Sequence, residues 1–340
     1  MSAPAPTSNL LAGRVERPVF ESAALAGNRV GDPHQREVPI YLPPGADEPG
    51  AALPVLFVLC GFTGNGNAYL ENHPWWPGLV PTFDRAVAAG EVSPAILVLP
   101  DCFTRFGGSQ YVNSSYLGDY ETHVAQELTA FVDERCPTLP GRRAVVGKSS
   151  GGFGALRLAM RHPETFPVAA SLSGDCHFEL CLAPHFFDCL RGLVAHDGEP
   201  ARFLEAFLER PDLSGGGHDV INVLAMAACY SPNPDSPLGF DLPFDLRTGA
   251  RIDAVWQRWL AFDPLHAVEH HVEALKSLEL LHLECGAMDE YNLQFGLRAL
   301  ADKLNELGVP HHHEEHPGSH RRIDHRYQAV FPKLIAALRR

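Results

Sequence analysis

Gly147-Lys148-Ser149-Ser150-Gly151 sets a serine between two glycines, each two residues away. The apolar run Ala144-Val145-Val146 precedes it, and residues 152–160, GFGALRLAM, follow with a helical pattern. Strand, sharp turn and helix form the context in which G-x-S-x-G presents a nucleophilic serine at a sheet end. The flanking glycines let strand and helix approach closely around a strained turn. A serine hydroxyl is a poor nucleophile at its own pKa, so Ser149 needs a base.

In a strand-turn-helix frame of this kind the acid follows the serine in sequence and the histidine comes last. Asp289 is the best acid, because Gly286-Ala287-Met288-Asp289-Glu290 follows the apolar run Leu278–Cys285. Glu290 is the neighbouring alternative acid, but it reads better as the opening of the next helix, where a carboxylate meets the helix dipole. Asp175, after Val168–Leu172 and Ser173-Gly174, is a rival acid. His320 ends the turn Pro317-Gly318-Ser319-His320 after a late strand and is the candidate base. His316 inside that strand and His325 inside the following helix are weaker alternatives. Acyl transfer also needs donors for an oxyanion. The Ser150 N–H is one candidate, and the Phe62 N–H in the loop Cys60-Gly61-Phe62-Thr63-Gly64 is the other. The stretch HHHEEH at 311–316 puts His311, His313 and Glu315 on one strand face and His312, Glu314 and His316 on the other. No H-E-x-x-H helix or matched cysteine set accompanies it, so it reads as a polar, half-exposed strand, and no metal is expected.

The elements that position these residues alternate. Apolar runs at 38–42, 53–59, 95–99, 143–146, 168–172 and 278–283, with the late strand at 310–316, read as strands. Helical patterns lie at about 120–135, 150–162, 290–307 and 324–338. This predicts an α/β fold with a mostly parallel central sheet and helices on both faces. Residues 1–14 read as a flexible Pro/Ala arm and 15–340 as one domain. Residues from about 176 to 275 break the rhythm and read as a cap insertion over the C-terminal edge of the sheet. Phe186, Phe187, Phe207, Trp256 and Trp259 either line an aromatic pocket or form the insertion's own core, and the core reading is preferred.

The formal charge of −14 argues against nucleic acid and against an anionic membrane surface as partners. No apolar run is long enough to span a bilayer. The first residues lack a basic and an apolar region, so no export signal is read there. The eight cysteines contain no C-x-x-C pair. Reduced, buried thiols and a cytoplasmic location are therefore expected, with Cys176, Cys181 and Cys189 close enough in sequence to leave a disulfide open.

Taken together, LPVLFVLCGFTG (53–64), LVLPDCFTRFGGSQYVNSS (97–115), VVGKSSGGFGALRLAMRHPETF (145–166), SLSGD (171–175), ECGAMDEY (284–291) and PGSHRR (317–322) resemble the putative-esterase (esterase D-like) family of α/β-hydrolases. That family includes S-formylglutathione hydrolases, feruloyl esterases, enterochelin esterase-like proteins and mycolyltransferases. The resemblance covers about residue 35 to the C-terminus. It implies an α/β-hydrolase fold, Ser149 as nucleophile, Asp289 as acid, His320 as base, and Phe62 and Ser150 as oxyanion donors. It also makes Gln110, in the loop 107–115, a candidate substrate contact. Cys60 stands where the family often has histidine, and the insertion after Asp175 is longer than a compact esterase needs. The expected activity is hydrolysis of a small-molecule carboxylic ester through an acyl-enzyme, with no cofactor. Thioester hydrolysis and acyl transfer use the same triad. A non-catalytic binding protein on the same scaffold and a metal-dependent hydrolase at 311–316 are the rivals from other classes. A homo-oligomer is compatible with the sequence.

Overall fold

The computed structural model describes residues 10–71, 73, 75 and 78–340. Eight segments pair into one sheet: β1 (Arg14–Glu16), β2 (Ile40–Leu42), β3 (Leu53–Leu59), β4 (Ile96–Val98), β5 (Thr138–Lys148), β6 (Val168–Leu172), β7 (Leu280–Gly286) and β8 (His312–His316). Their spatial order is β1-β2-β4-β3-β5-β6-β7-β8. The β1–β2 and β2–β4 pairs are antiparallel. All other pairs are parallel, which brings the C-terminal ends of β3 to β8 to one edge.

Alternation along each strand divides the core into two layers. Val55, Phe57 and Leu59 of β3 face one apolar cluster, and Leu56 and Val58 face the other. The first cluster is closed by helices Ser150–Arg161 and Leu293–Glu306 and by the helical stretch from Tyr120 to Arg135. The second is closed by helices Leu79–Ala88 and Arg326–Leu338. A strand buried on both faces needs an all-apolar sequence, and LPVLFVL supplies it.

Three expectations need correction. Residues 12–14 do not belong to a flexible arm: the Asp84 carboxylate accepts the Ala12 and Gly13 N–H groups at 2.9 and 2.7 Å, and Arg14 opens β1. Residues 1–9 of that arm lie outside the described residues. Glu290 does not open a helix. Asn292, at φ 63°, is the cap, and the helix begins at Leu293. Finally, the late strands are displaced from their expected limits. β7 ends at Gly286 and β8 begins at His312, because register with β6 starts at the pair Val168–Leu280.

Between β6 and β7 the chain adds no strand to the sheet. It forms helices that include His185–Leu193, Pro200–Glu209, Gly217–Tyr230 and Asp253–Leu260. Trp256 and Trp259 are fully buried there, with Phe186 packed edge-on against both at 5.5 and 5.7 Å. Phe207 stacks on Phe203, and Phe187 is 57% exposed. Phe186, Phe207, Trp256 and Trp259 therefore form the insertion's own core, and Phe187 stands outside it. Tyr230 and Phe178 continue it onto Phe153 of the helix after Ser149. All eight cysteines are buried and unpaired, so no disulfide links Cys176, Cys181 and Cys189.

Two glycines set how closely β5 and its helix can approach. A Cβ on Gly147 would run into the Gly151 backbone, and one on Gly151 into the Leu59 carbonyl. Gly151→Ala is therefore expected to lower stability by about 2 kcal/mol or more. A urea midpoint unchanged from wild type would contradict this close contact.

Candidate active site

Ser149 is the hinge between β5 and the helix Ser150–Arg161. Its backbone sits at φ 58° and ψ −128°, a region that costs a non-glycine residue about 1–3 kcal/mol. The surroundings over-determine it. The Ser149 N–H donates to the Leu172 carbonyl of β6 at 2.9 Å, and its own carbonyl accepts the Phe153 N–H at 2.9 Å. Gly61 comes so close that a Cβ there would lie 3.3 Å from the Ser149 Cβ.

That contact brings the loop after β3 to the serine. Within it, the Thr63 N–H donates to the Gly107 carbonyl and the Gly64 N–H to the Gly61 carbonyl. Among the described residues, no acceptor takes the Phe62 N–H. The Ser150 N–H, in the first turn of its helix, has no intrahelical acceptor. The Phe62 ring fills the space above Gly107 and Gly108, where a Cβ at Gly107 would fall 2.9 Å from it. Tyr111 anchors the loop from below, its hydroxyl donating to the Cys60 carbonyl at 2.7 Å. The Cys60 thiol is buried, and its pKa is pushed up to about 12 by that burial.

The acid and histidine loops are joined to one another. The Ala287 N–H donates to the His316 carbonyl at 2.8 Å, and the Met288 N–H to the Gly318 carbonyl at 3.0 Å. His320 Nδ1 lies 2.9 Å from Asp289 Oδ2, with both residues buried. Burial alone would raise the Asp289 pKa. The His320 hydrogen bond and charge, with the Tyr291 N–H at 3.0 Å, hold it below the usual carboxylate range. Two neighbours fix the histidine further. The Glu290 carboxylate accepts the His320 N–H at 2.8 Å, and the Tyr291 ring meets the imidazole edge-on at 4.8 Å. The contacts of Glu290 and Tyr291 with His320 were not read from sequence, although both residues close the motif ECGAMDEY.

Ser149, Ser150, Phe62, Asp175 and His320 line one cavity of about 460 Å³. Leu182, His185, His218, Asn222 and Met226 from the insertion complete its wall. Asp289 sits behind His320. Asp175 lies in the cavity wall, where it accepts Gln110 Nε2 at 3.2 Å, and no hydrogen bond joins it to His320 among the described residues. Gln110 is buried behind the wall between Asp175 and the Met226 sulfur, and it does not line the cavity. His316 Nδ1 accepts the Gly318 N–H, and His325 Nδ1 lies against the Arg322 carbonyl. Neither lines the cavity.

The histidine- and glutamate-rich strand is occupied by ion pairs. Glu315 holds Arg298 at 2.6 Å on one face. On the other, Arg326 bridges Glu284 and Glu314. His282, Glu284 and Glu314 bring donor atoms within 4.8 Å of one another, a spacing a metal could use, but Arg326 already bridges both carboxylates and Lys333 pairs with Glu314 at 2.7 Å.

A family model described as "Putative esterase" matches residues 32–338. The chain belongs to this family. It has the α/β-hydrolase fold. Among solved structures, a ferulic acid esterase is 19% identical with a TM-score of 0.59, covering 96% of this chain and 98% of its own. An S-formylglutathione hydrolase from Staphylococcus aureus is 16% identical with a TM-score of 0.57, covering 96% and 99%. Likeness at that identity carries the fold alone. Among curated proteins, the diacylglycerol acyltransferase/mycolyltransferase Ag85C of Mycobacterium leprae is 41% identical over 66 residues, 19% of this chain. The chain thus spans only 20% of that relative's length.

Two outcomes follow from this geometry. Ser149→Gly relieves the backbone strain and should raise stability by about 1 kcal/mol, read from the urea midpoint. A loss of stability would mean that the turn is not strained. Asp175 provides a pH test. Burial pushes its pKa up from 3.8 to about 6, against the Gln110 hydrogen bond and the nearby His320. The folded state therefore binds this proton more tightly than the unfolded chain does. Its stability contribution is full below pH 4 and is lost as pH rises through about 6. Asp175→Asn should accordingly be more stable than wild type at pH 8, by on the order of 2 kcal/mol, and equal to it near pH 4. A difference independent of pH would refute this.

Proposed function

We propose that this chain is a serine hydrolase of carboxylic esters that works through Ser149, His320 and Asp289, with the N–H groups of Phe62 and Ser150 as its oxyanion hole. The observation that carries the reading is the strained serine sharing a cavity with a histidine whose Nδ1 is held by a buried carboxylate. With Nδ1 engaged, Nε2 is the ring nitrogen left for proton transfer. It takes the Ser149 hydroxyl proton as Oγ attacks the ester carbonyl. Asp289 keeps the imidazole oriented and stabilises its cation. Negative charge on the former carbonyl oxygen is met by the two N–H groups, each worth on the order of 3 kcal/mol of barrier. As the tetrahedral intermediate collapses, the C–O bond breaks and the alcohol leaves with the proton from His320. Water, deprotonated by the same nitrogen, then releases the acid and restores Ser149.

The scheme calls for no metal and no organic cofactor, and its substrate is a small-molecule ester. The helix Gly217–Tyr230, which brings Asn222 and Met226 to the cavity, acts as part of a cap. Eight unpaired buried cysteines suit a reducing compartment, and we place the protein in the cytoplasm. Among the described residues no helix is long and apolar enough to cross a membrane. Because the name of the Mycobacterium leprae relative includes acyltransferase, the acyl-enzyme here is a candidate for transfer to acceptors other than water.

Intact mass after fluorophosphonate treatment tests the scheme directly. One adduct is expected, mapped to Ser149. Ser149→Ala should lose both the adduct and turnover of p-nitrophenyl esters, and Asp289→Asn should lower kcat on the order of 10⁴-fold. Full turnover by Ser149→Ala would overturn the assignment. Product analysis with added alcohols separates hydrolysis from transfer, and acyl thiols beside oxygen esters test the leaving atom.

A further inference from the structure

The chain contains four lysines. Three of them face carboxylates: Lys276 meets Glu273 at 3.7 Å, Lys333 meets Glu314 at 2.7 Å, and Lys303 pairs with Glu269. Lys148 does not. Half-buried and one residue before the nucleophile, it has no carboxylate oxygen within 4.0 Å among the described residues. Strand alternation puts it on the face of Ala144 and Val146, the face packed by Tyr69 and Tyr327. There β5 ends in the wall of the cavity, which Tyr69, Arg321 and Asp324 also line.

Arg321 adds a second cation to this wall, and its guanidinium likewise meets no carboxylate within 4.0 Å among the described residues. The cavity's two carboxylates, Asp175 and Asp324, pair with neither cation within 4.0 Å, and no other lysine or arginine lines it. Two cations without a carboxylate partner thus line the cavity, within a protein whose overall charge is −14. Long-range attraction cannot bring an anion to it, so recognition must act at contact. A partly desolvated ammonium gains most from an ionised partner.

Which part of the substrate meets these cations follows from the proton path. His320 protonates the leaving oxygen, so the leaving group lies beside it, and Arg321 is its neighbour in the chain. We propose that Lys148, together with Arg321, recognises an anionic group, a carboxylate or a phosphate, on the alcohol portion of the ester. This rests on the serine-esterase reading above.

Three acetate esters test it: 4-carboxyphenyl acetate, 4-(phosphonooxy)phenyl acetate and the neutral 4-carbamoylphenyl acetate. Each kcat/KM is divided by the ester's spontaneous hydrolysis rate. The wild type is expected to prefer at least one anionic ester over the amide by about tenfold or more, and the ratio between the two anionic esters tells carboxylate from phosphate. Lys148→Met should cut that preference about tenfold, mainly through KM, and Lys148→Arg should restore most of it. Arg321→Gln should reduce the preference in the same direction and serves if Lys148→Met does not fold. No charge preference in the wild type, or a preference that neither substitution changes, overturns the proposal. Fluorophosphonate labelling of the same samples separates the two levels. Labelled enzyme that turns over all three esters alike defeats this inference alone. Enzyme that neither labels nor turns over any ester defeats the serine-esterase reading and this inference with it.

Discussion

Three backbone segments meet at Ser149 more closely than side chains would permit, and the remaining geometry is built outward from that contact. Gly151 lies against the Leu59 carbonyl, Gly147 against Gly151, and Gly61 against Ser149 itself. The serine is held at φ 58° because the strands on either side leave it no other course. Since Gly61 belongs to the loop that carries the Phe62 N–H, nucleophile and oxyanion donor share one anchor. A shift of β3 against β5 would displace both together. Misplacement by about 1 Å can cost a reaction of this kind on the order of a hundredfold. That sensitivity explains why strain is tolerated here: the fold's most tightly packed strands hold it in place.

A second close contact does the same for the proton-transfer pair. A Cβ on Gly286 would run into the Gly318 backbone, and two N–H bonds join the acid loop to the histidine loop. These loops leave β7 and β8, which are parallel neighbours in register from His282–His312 to Gly286–His316. The register chain continues through Leu172–Glu284 and Leu172–Lys148. Serine, acid and histidine therefore stand at one level of the sheet although far apart in sequence. Glu290 and Tyr291 act on this level too, clamping the backbone and the ring of His320.

The positions of Ser149, Asp289 and His320 on one edge of the sheet were legible in the sequence because each comes after a run read as a strand, at the end where a parallel sheet collects its loops. Phe62 was legible for the same reason. Glu290 was misread because its charge suited a helix start, whereas Asn292 takes the left-handed cap and frees Glu290 for the histidine loop. Gln110 was placed on the correct loop and on the wrong side of the wall, since only packing shows that its amide turns inward to Asp175. The contributions of Leu182 and Met226 were hidden by their own chemistry. An apolar residue on an amphipathic helix looks the same whether it faces core or cavity. Trp256, Trp259 and Phe186 illustrate the converse, being core residues that sequence alone could equally give to a pocket.

Asp175 and Asp289 show how environment separates two carboxylates near one histidine. Asp289 has the imidazole on one oxygen and the Tyr291 N–H on the other, so its anion is stabilised in place. At Asp175 burial outweighs the Gln110 and Ser150 hydrogen bonds and the nearby His320, and its anion is correspondingly disfavoured. An acid that must stabilise an imidazolium during the reaction has to be ionised before the reaction begins, which favours Asp289 for that role in the proposed scheme. A carboxyl poised near pH 6 in the cavity wall has different uses. It can donate a hydrogen bond when protonated and place a negative charge near His320 when ionised. The effect of Asp175 on turnover should then follow its own titration, since the charge it adds near His320 favours the cationic imidazole on which leaving-group departure depends.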